Sequence, residues 1–172
     1  SDFALRVLLQ FTYHKKKLIN STKSLSSLIK NTFREDNNRI LALVSMMKNK
    51  NARESTVEAA TTLLWRLSVP RDESGGVDPC LTSIDTMETI IVMMEMYDSV
   101  TIREAVCGIL ANISIRTELS AKLVQKSFLS MKQFLWDTDD EGLATCALHA
   151  ISNILEKPVV PKSLLLNEKM VE

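Results

Sequence analysis

The feature that most constrains this chain is a helical sequence pattern that recurs at nearly constant spacing. Its clearest copy is 101–114, where apolar residues recur at three- and four-residue steps and therefore share one helix face. Setting Asn153 on Asn112, an offset of 41 residues, aligns a second copy, and setting Arg66 on Asn112, an offset of 46, aligns a third. A weaker fourth copy places Gln10 on Asn112. Long amphipathic helices at such spacing, separated by shorter ones, are typical of a helical solenoid.

The composition indicates an all-α domain. Valine, isoleucine and threonine never alternate with polar residues as they do in strands, and the four glycines and four prolines lie mainly between predicted helices. At 45% hydrophobic and 24% charged residues, the chain resembles an ordinary globular protein rather than a disordered or membrane one. An unrepeated helical bundle is the alternative to a solenoid, because amphipathic helices align with one another easily.

Helical periodicity and helix-end signals divide the chain into predicted elements. Pro70 ends one of the long helices, and a polar stretch with two adjacent glycines follows it as an irregular surface loop over 71–82. Acidic residues around Asp139 favour a helix start through the helix dipole. The predicted helices are about 2–14, 25–29, 36–48, 52–69, 83–97, 101–114, a short one from 117 followed by a second over 128–136, 143–155, and a last one from 161.

Three of these segments resemble a known repeat family. The phrase Cys-Gly-Ile-Leu-Ala-Asn-Ile-Ser at 107–114 resembles the third helix of armadillo repeats of the β-catenin type, and Ala-Ile-Ser-Asn-Ile at 150–154 is similar to it. Residues 118–136 resemble the first and second helices of such a repeat, with Ser127 where the family usually has glycine. The resemblance covers 37–156 well and the ends weakly. It implies an all-α, right-handed α-solenoid of about three to four armadillo-like repeats.

The resemblance also implies a division into repeats. We expect one armadillo-like domain over 1–172 that is a segment of a longer protein, because the chain starts inside one repeat and stops inside another. The expected repeats are 1–20 (partial), 21–69, 83–115, 116–156 and 157–172 (partial).

In this family the long third helices line a concave groove that binds extended peptides, and the third-helix asparagine bonds the peptide backbone. That role falls on Asn112 and Asn153, whereas Arg66 and Gln10 occupy the same position without being asparagine. A carboxamide offers both a donor and an acceptor to a peptide bond. The alternative is a structural asparagine that bonds a neighbouring repeat. Because only two positions match, we expect the peptide site in the C-terminal half of the chain.

Neighbouring positions complete the predicted groove. Relatives that act in nuclear transport place a tryptophan four residues before the asparagine, where this chain has Arg6, Thr62, Gly108 and His149. Gly108 is therefore expected to leave a shallow gap, and recognition of basic nuclear-localisation signals is not expected. Trp65 and Arg66 together suggest an anchor for an acidic or aromatic partner, since both residue types are enriched in binding hot spots. The alternative is that Trp65 only fills the core.

No catalytic or metal-binding pattern is recognisable in the sequence. It contains no nucleophile elbow, P-loop or zinc-protease motif. Cys146 and His149 stand three residues apart, but a closed zinc site needs four ligands. The acidic residues 139–141 lack the ligand spacing and glycine of a calcium loop. We therefore expect no enzyme activity, no metal and no cofactor.

The remaining expectations concern partners and location. The formal net charge is zero, which argues against nucleic acid or an anionic membrane as partner, and no apolar run is long enough to cross a bilayer. Three cysteines without a C-x-x-C pair fit a reducing compartment, so we expect a cytoplasmic protein, with the nucleus as the other intracellular location. The predicted function is a scaffold that binds a protein or peptide partner in its groove. The alternative is a structural segment that self-associates, or joins larger assemblies, through its exposed repeat ends.

Overall fold

The computed structural model describes residues 37–69, 77, 79–115 and 121–157, and these residues form seven helices and no strand. The predicted all-α class is therefore confirmed for this part of the chain. The helices are α1 (Asn37–Lys48), α2 (Glu54–Ser68), α3 (Pro79–Thr82), α4 (Ile84–Met96), α5 (Val100–Ser114), α6 (Ala121–Asp137) and α7 (Glu141–Leu155).

The helices contact one another in two rows. The helices that carry the repeated pattern form one row, in which α5 packs against both α2 and α7. The second row consists of α1, α4 and α6, and α4 contacts both of the others. Each helix of the first row also packs on the helix of the second row that comes nearest before it in sequence, giving the pairs α1–α2, α4–α5 and α6–α7. The helices α2, α5 and α7 therefore lie side by side.

Apolar stripes of both rows form one core. The predicted stripe of α2 is buried at Leu63 and Leu64, and that of α5 at Ile109 and Leu110, all with no exposed surface. Burying a side chain of this size stabilises a fold by roughly 1.5–3 kcal/mol relative to leaving it exposed. The long helices are thus fixed by packing on their inner faces, whereas their outer faces carry the polar residues that line the surface.

Side-chain caps fix where three of the helices begin. Ser83, Ser99 and Asp140 precede α4, α5 and α7, and each accepts a hydrogen bond from a backbone N–H in the first turn, at 3.4, 3.3 and 2.8 Å. Such caps satisfy amides that have no partner inside the helix. The sequence predicted a start at Ser83 or Asp85, and Ser83 is the cap; the predicted helix start in the acidic turn is confirmed.

The predicted irregular loop over 71–82 is wrong at its C-terminal end, where the chain forms α3. Pro79 suits the first turn of a helix because its missing N–H would have no partner there. The Thr82 hydroxyl donates to the Pro79 carbonyl at 3.1 Å, and Leu81 is fully buried in the core. Residues 71–76 of the predicted loop lie outside the described residues.

The prediction of two short helices across residues 117–136 is also wrong where the structure describes it, because α6 is continuous from Ala121 to Asp137. Ser127 occupies the position where the resemblance suggested a break. Its buried hydroxyl donates to the carbonyls of Leu123 and Val124 at 2.8 and 3.2 Å, inside the same helix. A serine with this bonding is compatible with an uninterrupted helix, whereas a glycine would supply neither bond.

Several predictions lie outside the described residues. They are the helices before residue 36, the helix from 161, and Gln10 as a groove residue. Among the described helices, none combines the length and the apolar character needed to cross a bilayer.

Candidate functional site

An open groove of about 630 Å³ lies on the surface between α2 and α5. Its walls are formed by Thr62, Trp65, Arg66 and Val69 on the α2 side and by Thr101, Glu104 and Asn112 on α5. Three of the residues that the sequence pointed to therefore surround one cavity. Thr101 and Asn112 lie eleven residues apart on one helix, so the groove runs for about 16 Å along the α5 axis.

The Trp65 indole, which lines the groove, lies directly against Gly108 of α5. A Cβ atom on Gly108 would overlap the five-membered ring of the Trp65 indole, so α5 accepts this side chain only because residue 108 has none. The expected shallow gap at Gly108 is therefore wrong, because the indole fills it. Trp65 is only half-buried, and it both packs against the core and forms part of the groove surface.

The two predicted asparagines each bond the preceding long helix. The Asn112 amide donates to the Ser68 hydroxyl of α2 at 2.9 Å, and the Asn153 amide donates to the Ala111 carbonyl of α5 at 3.0 Å. These are contacts of the structural kind that the sequence left as the alternative to peptide binding. A hydrogen bond of this kind contributes about 0.5–1.5 kcal/mol to stability.

The two contacts reach equivalent points of the preceding helix. The Ser68 hydroxyl donates to the Trp65 carbonyl at 2.6 Å, and the Ser114 hydroxyl donates to the Ala111 carbonyl at 3.2 Å. At the offset of 46, Trp65 aligns with Ala111 and Ser68 with Ser114. Asn153 of α7 bonds the carbonyl of the Ser114–Ala111 pair, whereas Asn112 of α5 bonds the hydroxyl of the aligned Ser68–Trp65 pair. The side-by-side contacts of the long helices therefore repeat with one change of acceptor.

The Asn112 carboxamide keeps binding capacity after this contact. One of its two N–H groups bonds Ser68, which leaves the second N–H and the carbonyl oxygen as a donor and an acceptor. The side chain is half-buried and lines the groove. It can therefore bond both groups of a peptide unit while its first N–H holds it in place.

The N-terminal ends of the long helices are joined by side chains as well. The Ser99 hydroxyl donates to a Glu58 carboxylate oxygen at 2.6 Å, which connects the start of α5 to α2. The aligned residues one helix further on are Asp140 and Glu104, at offsets of 41 and 46. Where the first pair is a hydroxyl and a carboxylate, the second pair is therefore two carboxylic acids.

The Glu104 and Asp140 carboxyl groups lie close together beside Gly142. A Cβ atom on Gly142 would stand 3.0 Å from a Glu104 oxygen and 3.2 Å from an Asp140 oxygen, so these two oxygens are at most about 6 Å apart. Burial, and then the Asp140 charge, raise the pKa of Glu104 above its ordinary value of 4.5. Glu104 thus places a carboxyl group in the groove lining, beside a second acid of α7.

The thiols near this point are not activated. Burial, followed by the nearby Cys146 and Glu104, raises the pKa of Cys107 to about 12, and burial also raises that of Cys146. Both thiols therefore remain protonated and unreactive at neutral pH. In the part of the chain that the structure describes, no three His, Cys, Asp or Glu side chains are grouped as metal ligands would be.

Not every predicted groove residue lies at this groove. His149 is exposed and Asn153 is half-buried, and both belong to α7, one helix beyond the walls of the cavity. The structure thus brings together Trp65, Arg66 and Asn112, with Gly108 against the indole.

Three groove residues were missed by the sequence analysis. They are Val69, Thr101 and Glu104. Thr101 and Glu104 carried a usable signal, because residues 8 and 11 positions before Asn112 lie close to its helix face. Val69 depends on how α2 packs beside α5, which helical periodicity does not specify. Thr62 was named only as the residue at the aligned tryptophan position, not as a groove residue.

Comparison with known proteins adds no relative: no family model, no curated protein and no solved structure matches this chain.

Proposed function

We propose that this chain is a non-enzymatic protein-interaction scaffold that binds an extended peptide segment of a partner in the groove between α2 and α5. The observation that carries the proposal is the groove itself, which combines an indole, an arginine and a half-buried amide with remaining bonding capacity. Its length of about 16 Å accommodates four to five residues of extended chain. Extended peptides are recognised by backbone hydrogen bonds together with pockets for individual side chains.

We also propose that the two rows of helices are turns of a right-handed, armadillo-type solenoid of about three to four repeats. Support comes from contacts that recur at repeat-like separations. The side-chain hydrogen bonds between successive long helices span 41, 44 and 42 residues, for Ser99–Glu58, Asn112–Ser68 and Asn153–Ala111. A solenoid suits a scaffold because each repeat adds surface to one continuous face.

The test is a peptide selection followed by blocking of the groove. Peptides selected on the wild-type chain from a displayed library are measured for affinity against Thr101→Arg, which places a long side chain at an exposed groove position. The matched control is Gln133→Arg, at an exposed position of α6 that does not line the groove. We expect Thr101→Arg to weaken binding by at least tenfold and Gln133→Arg to leave it unchanged. Equal affinity of both variants would contradict the proposal.

Exposed apolar residues on the last two described helices favour the second candidate function, self-association or assembly through the repeat ends. Leu129 and Trp136 are 47% and 73% exposed on α6, and Leu148 and Leu155 are 54% and 38% exposed on α7. Each pair is spaced by seven residues and therefore shares one helix face. The α5 residues aligned with Leu148 and Leu155 are buried, so this face of α7 has the character of a contact surface.

Sedimentation velocity over a range of concentrations tests the second function. Self-association through α7 predicts a dimer that Leu148→Glu abolishes and that the neighbouring, already exposed variant His149→Glu retains. A monomer at all concentrations would rule out pairing between copies of this chain.

A further inference from the structure

We draw no further inference here: the strongest candidate, the exposed apolar face of α7 formed by Leu148 and Leu155, belongs to the second candidate function already described, and nothing in the described part of the structure shows what covers it.

Discussion

The contact between α2 and α5, here called the first seam, and that between α5 and α7, the second seam, use aligned positions in different ways. In the first seam a large residue of α2, Trp65, meets the smallest residue on α5, Gly108. In the second seam the aligned residues are Ala111, small and buried, and His149, large and exposed. The size relation is reversed, and only the first arrangement places an aromatic ring on the groove surface.

The polar contacts of the two seams also differ at aligned positions. At the helix starts, the first seam has a hydroxyl–carboxylate hydrogen bond between Ser99 and Glu58, whereas the second seam has the two acids Asp140 and Glu104. Near the helix ends, the asparagine bonds a serine hydroxyl in the first seam and a backbone carbonyl in the second. The comparison teaches that the stacking of the long helices tolerates a change of partner at each contact, and that such changes are what create a local binding surface.

The largest effect is expected where the first seam is tightest. Gly108→Ala gains up to about 1 kcal/mol of helix propensity, but its Cβ overlaps the Trp65 indole and must displace it. Overpacking of this kind costs about 1–3 kcal/mol, and because the overlap involves three ring atoms we expect the upper end of that range, which leaves a net loss of about 2 kcal/mol in the free energy of unfolding measured by urea denaturation. Groove binding should weaken as well, because the indole lines that surface.

A double-mutant cycle with Trp65→Ala isolates the contact. Once the indole is gone, Gly108→Ala has room, and only the helix propensity remains, so the substitution should become neutral or stabilising by up to about 1 kcal/mol. The same destabilisation with and without Trp65 would mean that the glycine serves a purpose other than accepting the ring.

The second largest effect is expected at the start of α5. Ser99→Ala removes both the cap on the Ile102 amide and the hydrogen bond to Glu58, which should cost about 1–2 kcal/mol of unfolding free energy. Asp140→Ala removes a cap from α7 but also relieves repulsion with Glu104, so it should cost less. Thermal and urea denaturation of the two variants give the comparison, and an Asp140→Ala cost equal to or above that of Ser99→Ala would contradict it.

The sequence predicted the long helices correctly but not the shortest one, and it divided one helix that is continuous. Helical periodicity located every helix of more than four residues in the described part of the chain, because an amphipathic stripe must face a core whatever its neighbours are. Periodicity missed α3, a single turn held by Pro79, Thr82 and buried Leu81, because so short an element has no period to detect. It also divided α6 in two, since the effect of Ser127 depends on which carbonyl its hydroxyl bonds.

The candidate site was predictable only along single helices. Asn112 was found because the pattern of its helix recurs along the chain with Asn153 at the aligned position, and Glu104 could have been found from it at helical spacing. The contact of Trp65 with Gly108 could not, because it depends on the relative height and rotation of two helices. The alignment offsets of the sequence do not give this height and rotation by themselves. The hydrogen bonds between the helices are needed to establish which residues stand side by side.

The third prediction concerns the asparagines, where the seams differ in acceptor. Asn112→Ala and Asn153→Ala should each cost about 1 kcal/mol of unfolding free energy. Ser68→Ala removes the acceptor of Asn112, so the pair should show a coupling energy of at least 0.5 kcal/mol, on the order expected for contacting residues. Ser114→Ala leaves the Ala111 carbonyl in place, and its effect should therefore add to that of Asn153→Ala. Equal coupling in both seams would remove the distinction between hydroxyl and carbonyl acceptors.

The smallest effect is expected from making the second seam resemble the first. Asp140→Ser keeps an oxygen to cap α7 and puts a hydroxyl beside Glu104, so we expect a stabilisation of a few tenths to about 1 kcal/mol at neutral pH. Because the folded pKa of Glu104 is raised, the folded chain binds its proton more tightly than the unfolded chain does. The stability contributed by that proton is complete below pH 4.5 and is lost as the pH rises through the folded pKa.

The gain from Asp140→Ser should therefore be largest at neutral pH and should shrink as the pH falls towards 4.5, where Glu104 becomes neutral in the wild type too. Urea denaturation at pH 7 and near pH 4.5 measures the change, and Glu104→Gln is the control, because a chain without this carboxyl has no repulsion left for the serine to relieve. In that background Asp140→Ser should gain less at pH 7 and should lose this part of its pH dependence. A gain that is the same at both pH values would mean that the two acids of the second seam do not interact, and the contrast between the seams would then reduce to the tryptophan, the glycine and the asparagines.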